Sequence, residues 1–372
     1  MRQRSGNASA YDPTMTAIAG VHGVLAPHGY PQDEITAAFG AVVSPDGAHR
    51  AVVERIHQAT GVQHRNLALP LADYALLDGF GQANDAFIRV GLDLAEAAIA
   101  GALDAAGLAA ADVDLILSTS VTGIAAPSLE ARLALRMGFR PDVKRLPVFG
   151  LGCVAGASGI ARLHDHLLGS PDGVAVLVSV ELCSLTVQRD DVSMPNIVAS
   201  GLFGDGAAAV VMVGSRRAES MGITGPLVLD SRSRIYPDSE RTMGWDISES
   251  GFRIVLSAGV PDVITTYVGD DVTDFLVDHD LKPSDIARWV CHPGGPRVLE
   301  AMQDALDLHD GQLDVTWRSL ASIGNLSSSS VLHVLADTLA GRDGAERPEP
   351  GTPGLMLAMG PGFCAELVLL QW

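Results

Sequence analysis

The chain has 372 residues, enough to bury a sizeable core and to form two domain-sized units, and 47% hydrophobic against 19% charged content marks a compact globular protein, not a disordered one. A formal net charge of -19 opposes contact with a phosphate backbone, which needs a basic face, so nucleic acid is not an expected partner. No apolar run approaches the roughly 20 residues of a membrane-spanning helix, so no stable membrane insertion is expected. The four cysteines (Cys153, Cys183, Cys291, Cys364) lack metal-ligand spacing and follow no secretory signal, which reads as reduced thiols in a cytoplasmic protein.

Residues 1–14 are polar and patternless and read as a disordered leader, with Met15 an alternative start. Met15 to Leu25 predicts a first strand, followed by a turn and a helix near Asp33 to Phe39. A second helix covers Arg50 to Thr60 and stops at Gly61. Arg55, His57, His64 and Arg65 make a small basic cluster there; it would suit a phosphorylated substrate, and a solvated helix face is the alternative. Asp85 to Ala106 is a long helix rich in small residues. Val113 to Ser118 has the near-continuous apolar run of a strand buried on both faces of a parallel sheet. Ser128 to Met137 is a helix, Gly173 to Glu181 a second buried strand, and Leu202 to Val213 a glycine turn entering a strand. From Gly214 to Gly251 the pattern loosens, and a boundary there divides the chain into halves, 15–226 and 227–372. The second half then predicts a helix around Pro261 to Asp278, a strand Ala287 to Cys291 ending at His292, and a helix near Arg297 to Leu306. Asn325 precedes a helix Ser327 to Leu339, and two strands, Gly354 to Met359 and Phe363 to Leu370, flank the turn Gly360-Pro361-Gly362.

The stretch Leu146 to Ser170 ties these elements together. An apolar run gives way to Gly150, Gly152 and Cys153, and then to apolar residues at helical spacing, which places Cys153 on a tight turn at a helix N-terminus. The positive end of the helix dipole there favours a thiolate; a buried structural cysteine is the other reading. Gly150, Gly152 and Gly156, with Glu181 closing the next strand, also imitate a dinucleotide loop, although the third glycine falls one residue late.

The two halves repeat one series of elements. VDLILS matches ARWVC, the Cys153 turn and helix match the Asn325 turn and helix, and the last two strands of each half correspond. A duplicated βαβαβ unit with a largely parallel sheet follows. Cys153, His292 and Asn325 then fall at strand ends or the helix starts after them, where ligand groups gather in such sheets. A thiolate attacks thioesters, and imidazole with an Asn amide can hold an oxyanion or enolate, so the trio suits acyl transfer followed by carbanion chemistry. A satisfied histidine and an N-cap asparagine are the plain alternatives. His164 and His166 share no helix face and read as surface residues.

GLGCVAGASG around Cys153, LFGDGAAAVV at Leu202, CHPGG at Cys291, GNLSSSSVL at Gly324 and MGPGF at Met359 resemble the type III polyketide synthases, the chalcone-synthase-like enzymes of the thiolase superfamily. The resemblance runs from about Ala17 to the C-terminus. It implies a thiolase-like α/β fold in five layers, αβαβα, a homodimer, and a catalytic triad of Cys153, His292 and Asn325. It also implies acyl-CoA and malonyl-CoA (or methylmalonyl-CoA) as substrates with no cofactor and no metal. Phe203 matches a phenylalanine that gates the passage from coenzyme A tunnel to cavity. Ile254 stands where a second gating phenylalanine is expected, a departure that would widen the passage. Ala358 and Met359 before the Gly-Pro-Gly turn also depart from the family pattern. Arg55 falls where the family places a cation against coenzyme A phosphates. The sequence is most like bacterial alkylresorcinol and alkylpyrone synthases, which implies that Cys183 faces a tunnel for a long acyl chain and that Thr186 and Ser327 line the cavity. Two rivals stand beside this reading: a single-condensation ketoacyl carrier-protein synthase III-like enzyme, and a silent thiolase-fold partner that binds acyl-CoA.

Overall fold

The structure is a computed structural model that describes residues 12, 14–189, 191–342 and 346–372. The leader expected over 1–14 lies outside the described residues apart from Asp12 and Thr14, which form a turn into the first strand.

In the first half, β1 (Thr16–Leu25) is followed by a hairpin, β2 (His28–Pro31) with β3 (His64–Leu67), that brackets helices Gln32–Val43 and Arg50–Ala59. The long helix Gly79–Ala106 leads to β4 (Leu115–Thr119), helix Leu129–Met137 and β5 (Lys144–Val148). A 3₁₀ turn, Gly152–Val154, then enters helix Ala155–Leu168, and β6 (Val174–Leu182), helix Met194–Leu202 and β7 (Asp205–Val213) follow. The second half contains β8 (Leu227–Ile235), a hairpin of β9 (Met243–Ser248) and β10 (Gly251–Leu256), a helical stretch 260–277 interrupted by a π-turn, and β11 (Arg288–Cys291). Helices Pro296–Leu306, Asp314–Ile323 and Ser330–Ala340 lead to β12 (Pro353–Gly360) and β13 (Cys364–Gln371).

The main sheet runs β11-β12-β13-β8-β1-β7-β6-β4-β5. It is mixed, which corrects the expectation of a largely parallel sheet: β11/β12, β4/β5 and β4/β6 are parallel, and the other neighbours are antiparallel. The reason is local in β12/β13, where a three-residue turn leaves no room for the crossover that parallel strands require. β1 meets β8 at Thr16↔Val228 and Ala17↔Leu227, and at this short junction the continuous sheet divides into a first sheet, β5-β4-β6-β7-β1, and a second, β8-β13-β12-β11.

Three apolar cores fill the gaps and set the layers. Helix Gly79–Ala106 covers β1, β6 and β7 on one outside face. The helices of the 260–306 region cover the far side of the second sheet. Between the sheets lie helices Ala155–Leu168 and Ser330–Ala340, in contact with each other and with strands of both halves. Five layers result, helix, sheet, helix, sheet, helix, as the thiolase-like fold predicts.

The central layer explains the glycines after Cys153. A Cβ on Gly156 would stand 2.3 Å from the Ser328 carbonyl oxygen and 2.7 Å from Val331, and one on Gly159 would stand 2.6 Å from Leu177. They permit close approach to the partner helix and sheet, so the dinucleotide reading falls. Glu181 falls with it: the carboxylate is fully buried and accepts hydrogen bonds from Ser120, the Val121 N–H, Thr122 and Ser328.

Two other expectations need correction. The region 214–251, where the sequence pattern loosens, contains a helix, Ser215–Met221, as well as β8 and β9. His164 is buried in the central layer with Nδ1 2.8 Å from Thr16 Oγ1; only half-buried His166 leans toward solvent.

Candidate active site

Cys153 sits on the 3₁₀ turn between β5 and helix Ala155–Leu168. Gly150 and Gly152 approach it at φ 100 and 57, which only glycine adopts freely, and a Cβ on Gly152 would strike Pro361 at 2.5 Å. The thiol is 8% exposed and donates to Ser327 Oγ at 3.6 Å. Ser327 itself holds a left-handed φ of 49, and its N–H donates to Asn325 Oδ1 at 2.8 Å. The Asn325 amide donates to the Gly294 carbonyl at 3.4 Å, two residues after His292. Contacts therefore run from Cys153 through Ser327 and Asn325 to the backbone beside His292.

His292 follows β11, tied by its N–H to Leu357 O at 2.9 Å. Its two ring nitrogens are buried without any partner among the described residues. A buried imidazole with neither nitrogen paired carries an uncompensated desolvation cost, and His292 and Asn325 lie behind the residues that line the cavity at Cys153 and are not among them. Burial pushes the His292 imidazole down to about 3 and the Cys153 thiol up to about 12, so each is neutral alone at physiological pH. This opposes the expectation of a dipole-stabilised thiolate: desolvation outweighs the helix end unless the two groups ionise together.

Cys153 opens onto about 420 Å³ of empty space, part of it open to solvent. Of the expected site residues, Cys183, Phe203, Ile254 and Ser327 line it with Cys153. Thr186 does not; its hydroxyl donates to Cys183 O at 2.7 Å and ends that turn. Arg55 is exposed on helix Arg50–Ala59 and is not brought to the cavity. The basic cluster also dissolves. His57 is buried between Thr36 (2.9 Å) and Ser200 (3.0 Å), and Arg65 is wholly buried, leaving only Arg55 and His64 exposed. Sequence reasoning missed Met243 and Trp245, which project from the β9/β10 hairpin, and Pro361. The hairpin residues lie where no periodicity was readable; the Gly-Pro-Gly turn was the one available signal for Pro361.

Comparison with known proteins gives the class. The chalcone and stilbene synthase N-terminal domain matches residues 80–216, and the C-terminal domain of the same family matches 228–372. A 1,3,6,8-tetrahydroxynaphthalene synthase of Streptomyces peucetius subsp. caesius is 59% identical over 357 residues, 96% of this chain and 93% of the relative. An alpha-pyrone synthesis polyketide synthase-like protein of Mycobacterium tuberculosis is 30% identical, covering 88% of this chain and 84% of its own. The crystal structure of the Streptomyces coelicolor tetrahydroxynaphthalene synthase, a bacterial type III polyketide synthase, superimposes with a TM-score of 0.88 at 29% identity. It covers 96% of this chain and 99% of that one. The chain belongs to the chalcone and stilbene synthase family and is a type III polyketide synthase, an acyltransferase-type enzyme. The carrier-protein-dependent and silent-partner readings give way to this. Among the described residues no helix is long and apolar enough to cross a membrane.

Proposed function

We propose that the enzyme takes malonyl-CoA both to start and to extend its chain and closes the product to 1,3,6,8-tetrahydroxynaphthalene. The observation that carries this is the 59% identity over 96% of the chain to a protein of that name. The product's chemistry is consistent with it: ten ring carbons with oxygens on alternate positions count as five two-carbon units, each left when a malonyl group loses CO₂.

Cys153 is the nucleophile. Its sulfur attacks the thioester carbonyl, the sulfur–carbonyl bond forms, and coenzyme A leaves with the proton that His292 has taken from the thiol. His292 and Asn325 then donate to the carbonyl oxygen of the next malonyl thioester; the electrons of the breaking C–C bond become an enolate as CO₂ departs. The enolate carbon attacks the acyl group on Cys153 and releases the thiolate, ready to take back the lengthened chain. The two unpartnered nitrogens of His292 support these roles. Phe203 and Ile254 form the wall that the coenzyme A arm passes, and Arg55 is the cation for its phosphates. Two copies of the chain pair as a homodimer.

A second reading, a long fatty acyl starter closed to an alkylresorcinol or alkylpyrone, has one specific observation in its favour. Beside the turn that holds Cys183 lies another cavity of about 830 Å³, part of it open to solvent, lined by Ser184, Leu185 and Val187 with Phe39, Tyr74 and Leu77. Purified enzyme given malonyl-CoA alone, then malonyl-CoA with acyl-CoA starters of rising length, separates the readings by mass spectrometry beside a Cys153→Ala control. A naphthalene product from malonyl-CoA alone supports the first reading; products bearing the starter's alkyl tail overturn it in favour of the second.

A further inference from the structure

Arg65 is the largest side chain that is wholly buried, and no step above uses it. Its Nη1 donates to the Phe203 carbonyl at 2.7 Å and its Nε to Gln32 Oε1 at 2.9 Å; Gln32 in turn donates to the Gly201 carbonyl at 2.7 Å. Burial brings the guanidinium down to about 10, and it stays a cation at neutral pH, favoured by the Asp205 carboxylate. Asp205 is itself fixed by the N–H groups of Ala68 (2.7 Å) and Ser184 (2.8 Å). A buried cation is costly unless it is paired and hydrogen-bonded, and Arg65 carries that cost in part, since its Nη2 has no partner among the described residues.

What it holds is the point where the two halves of the site meet. Phe203 pairs with Asn325 as an isolated parallel bridge: Asn325 N–H donates to Leu202 O at 3.0 Å and Gly204 N–H to Asn325 O at 2.9 Å. The Arg65 stem packs under this bridge, since a Cβ on Gly324 would stand 3.1 Å from its Cγ and Cδ and 2.8 Å from Leu202 O. We infer that Arg65 is a positioning residue that, through the Phe203 carbonyl and the Phe203–Asn325 bridge, fixes the Asn325 amide for the decarboxylation of the malonyl thioester.

The inference rests on the proposed role of Asn325, and it separates two steps. Cys153 meets Asn325 indirectly, through a long contact with Ser327 Oγ at 3.6 Å, so loosening the bridge should disturb decarboxylation far more than the thiol's reactivity. The test measures CO₂ release from malonyl-CoA and alkylation of Cys153 by iodoacetamide on the same preparations of wild type, Arg65→Gln and Arg65→Lys. Expected for Arg65→Gln is a fall of about tenfold or more in the kcat of decarboxylation, the size of one lost charge-assisted hydrogen bond. KM for malonyl-CoA and the alkylation rate should stay within about threefold, with partial recovery in Arg65→Lys, which restores the charge without the fork. Unchanged decarboxylation, or an equal fall in decarboxylation and alkylation, overturns the inference. If Arg65→Gln does not fold, Gln32→Leu, which takes the acceptor from Nε, decides in its place: unchanged decarboxylation there overturns the inference as well. A wild type that releases no CO₂ would instead refute the proposed function, and so the two failures are distinguishable.

Discussion

At the scale of single residues, the proposed chemistry depends on two groups that are each neutral when considered alone. Burial raises the thiol of Cys153 and lowers the imidazole of His292, so each charge is disfavoured in that dry setting. We predict that thiolate and imidazolium form together, gaining their mutual attraction and the positive end of helix Ala155–Leu168. The expected outcome is that iodoacetamide alkylates Cys153 at a rate nearly level between about pH 6 and 9 in the wild type. In His292→Gln the rate at neutral pH should fall by about tenfold or more and climb about tenfold per pH unit, as a lone raised thiol requires. A pH profile by intact-protein mass checks this; a steep profile in the wild type would show that the pair does not form.

At the scale of elements, the central helix pair is limited by space. Gly156→Val would drive a side chain into the Ser328 carbonyl and Val331, backbone and packed core that cannot give way, and should cost about 3 kcal/mol measured by urea unfolding. The helices around His57 carry a pH dependence instead. Burial lowers His57 to about 3 while the unfolded residue titrates near 6.5, so between these values the unfolded chain binds the extra proton. Stability from this group is complete above 6.5 and drains as pH falls toward 3. Glu181 and Asp205, raised by burial to about 7 and about 6, act in the opposite sense: their contribution is complete below the ordinary carboxylate range and is lost as pH rises through those values. A His57→Gln variant isolates the first effect. Relative to wild type it should gain about 1.4 kcal/mol per pH unit on going from pH 6 to 4, read from urea midpoints. These elements also show what the sequence can reveal. β6 and β7 are buried at every position, so their apolar runs were readable. β8 carries Asp230, Ser231 and Arg232, half-buried, then Ser233 and Arg234, exposed, along its pairing with β13, and no period survives in it. His57, His164 and Arg65 look like surface residues because their partners, Thr36, Thr16 and Phe203, come from distant chain.

At the scale of the whole molecule, duplication made the site legible. Cys153 and Asn325 begin equivalent helices, and recognising one half pointed to the other, whereas Trp245 and Met243 sit on a two-stranded hairpin outside the main sheet. The same scale sets the last prediction. The main sheet ends at β11 on one side, which is largely buried, and at β5 on the other, where Lys144, Arg145, Leu146 and Pro147 are exposed. Beside β5, Leu135 is 90% exposed on the helix packed against that strand, and Phe149, just past its end, is 53% exposed. An open strand edge flanked by large apolar side chains is a template for pairing, and a two-fold axis across it would let the same patch serve both copies. Leu146→Lys combined with Phe149→Lys places like charges opposite each other across such an axis, where they repel and lose the apolar burial. Sedimentation velocity should then show a dimer for the wild type and a monomer for the double variant at the same concentration. A double variant that remains dimeric would mean that the copies meet through another face.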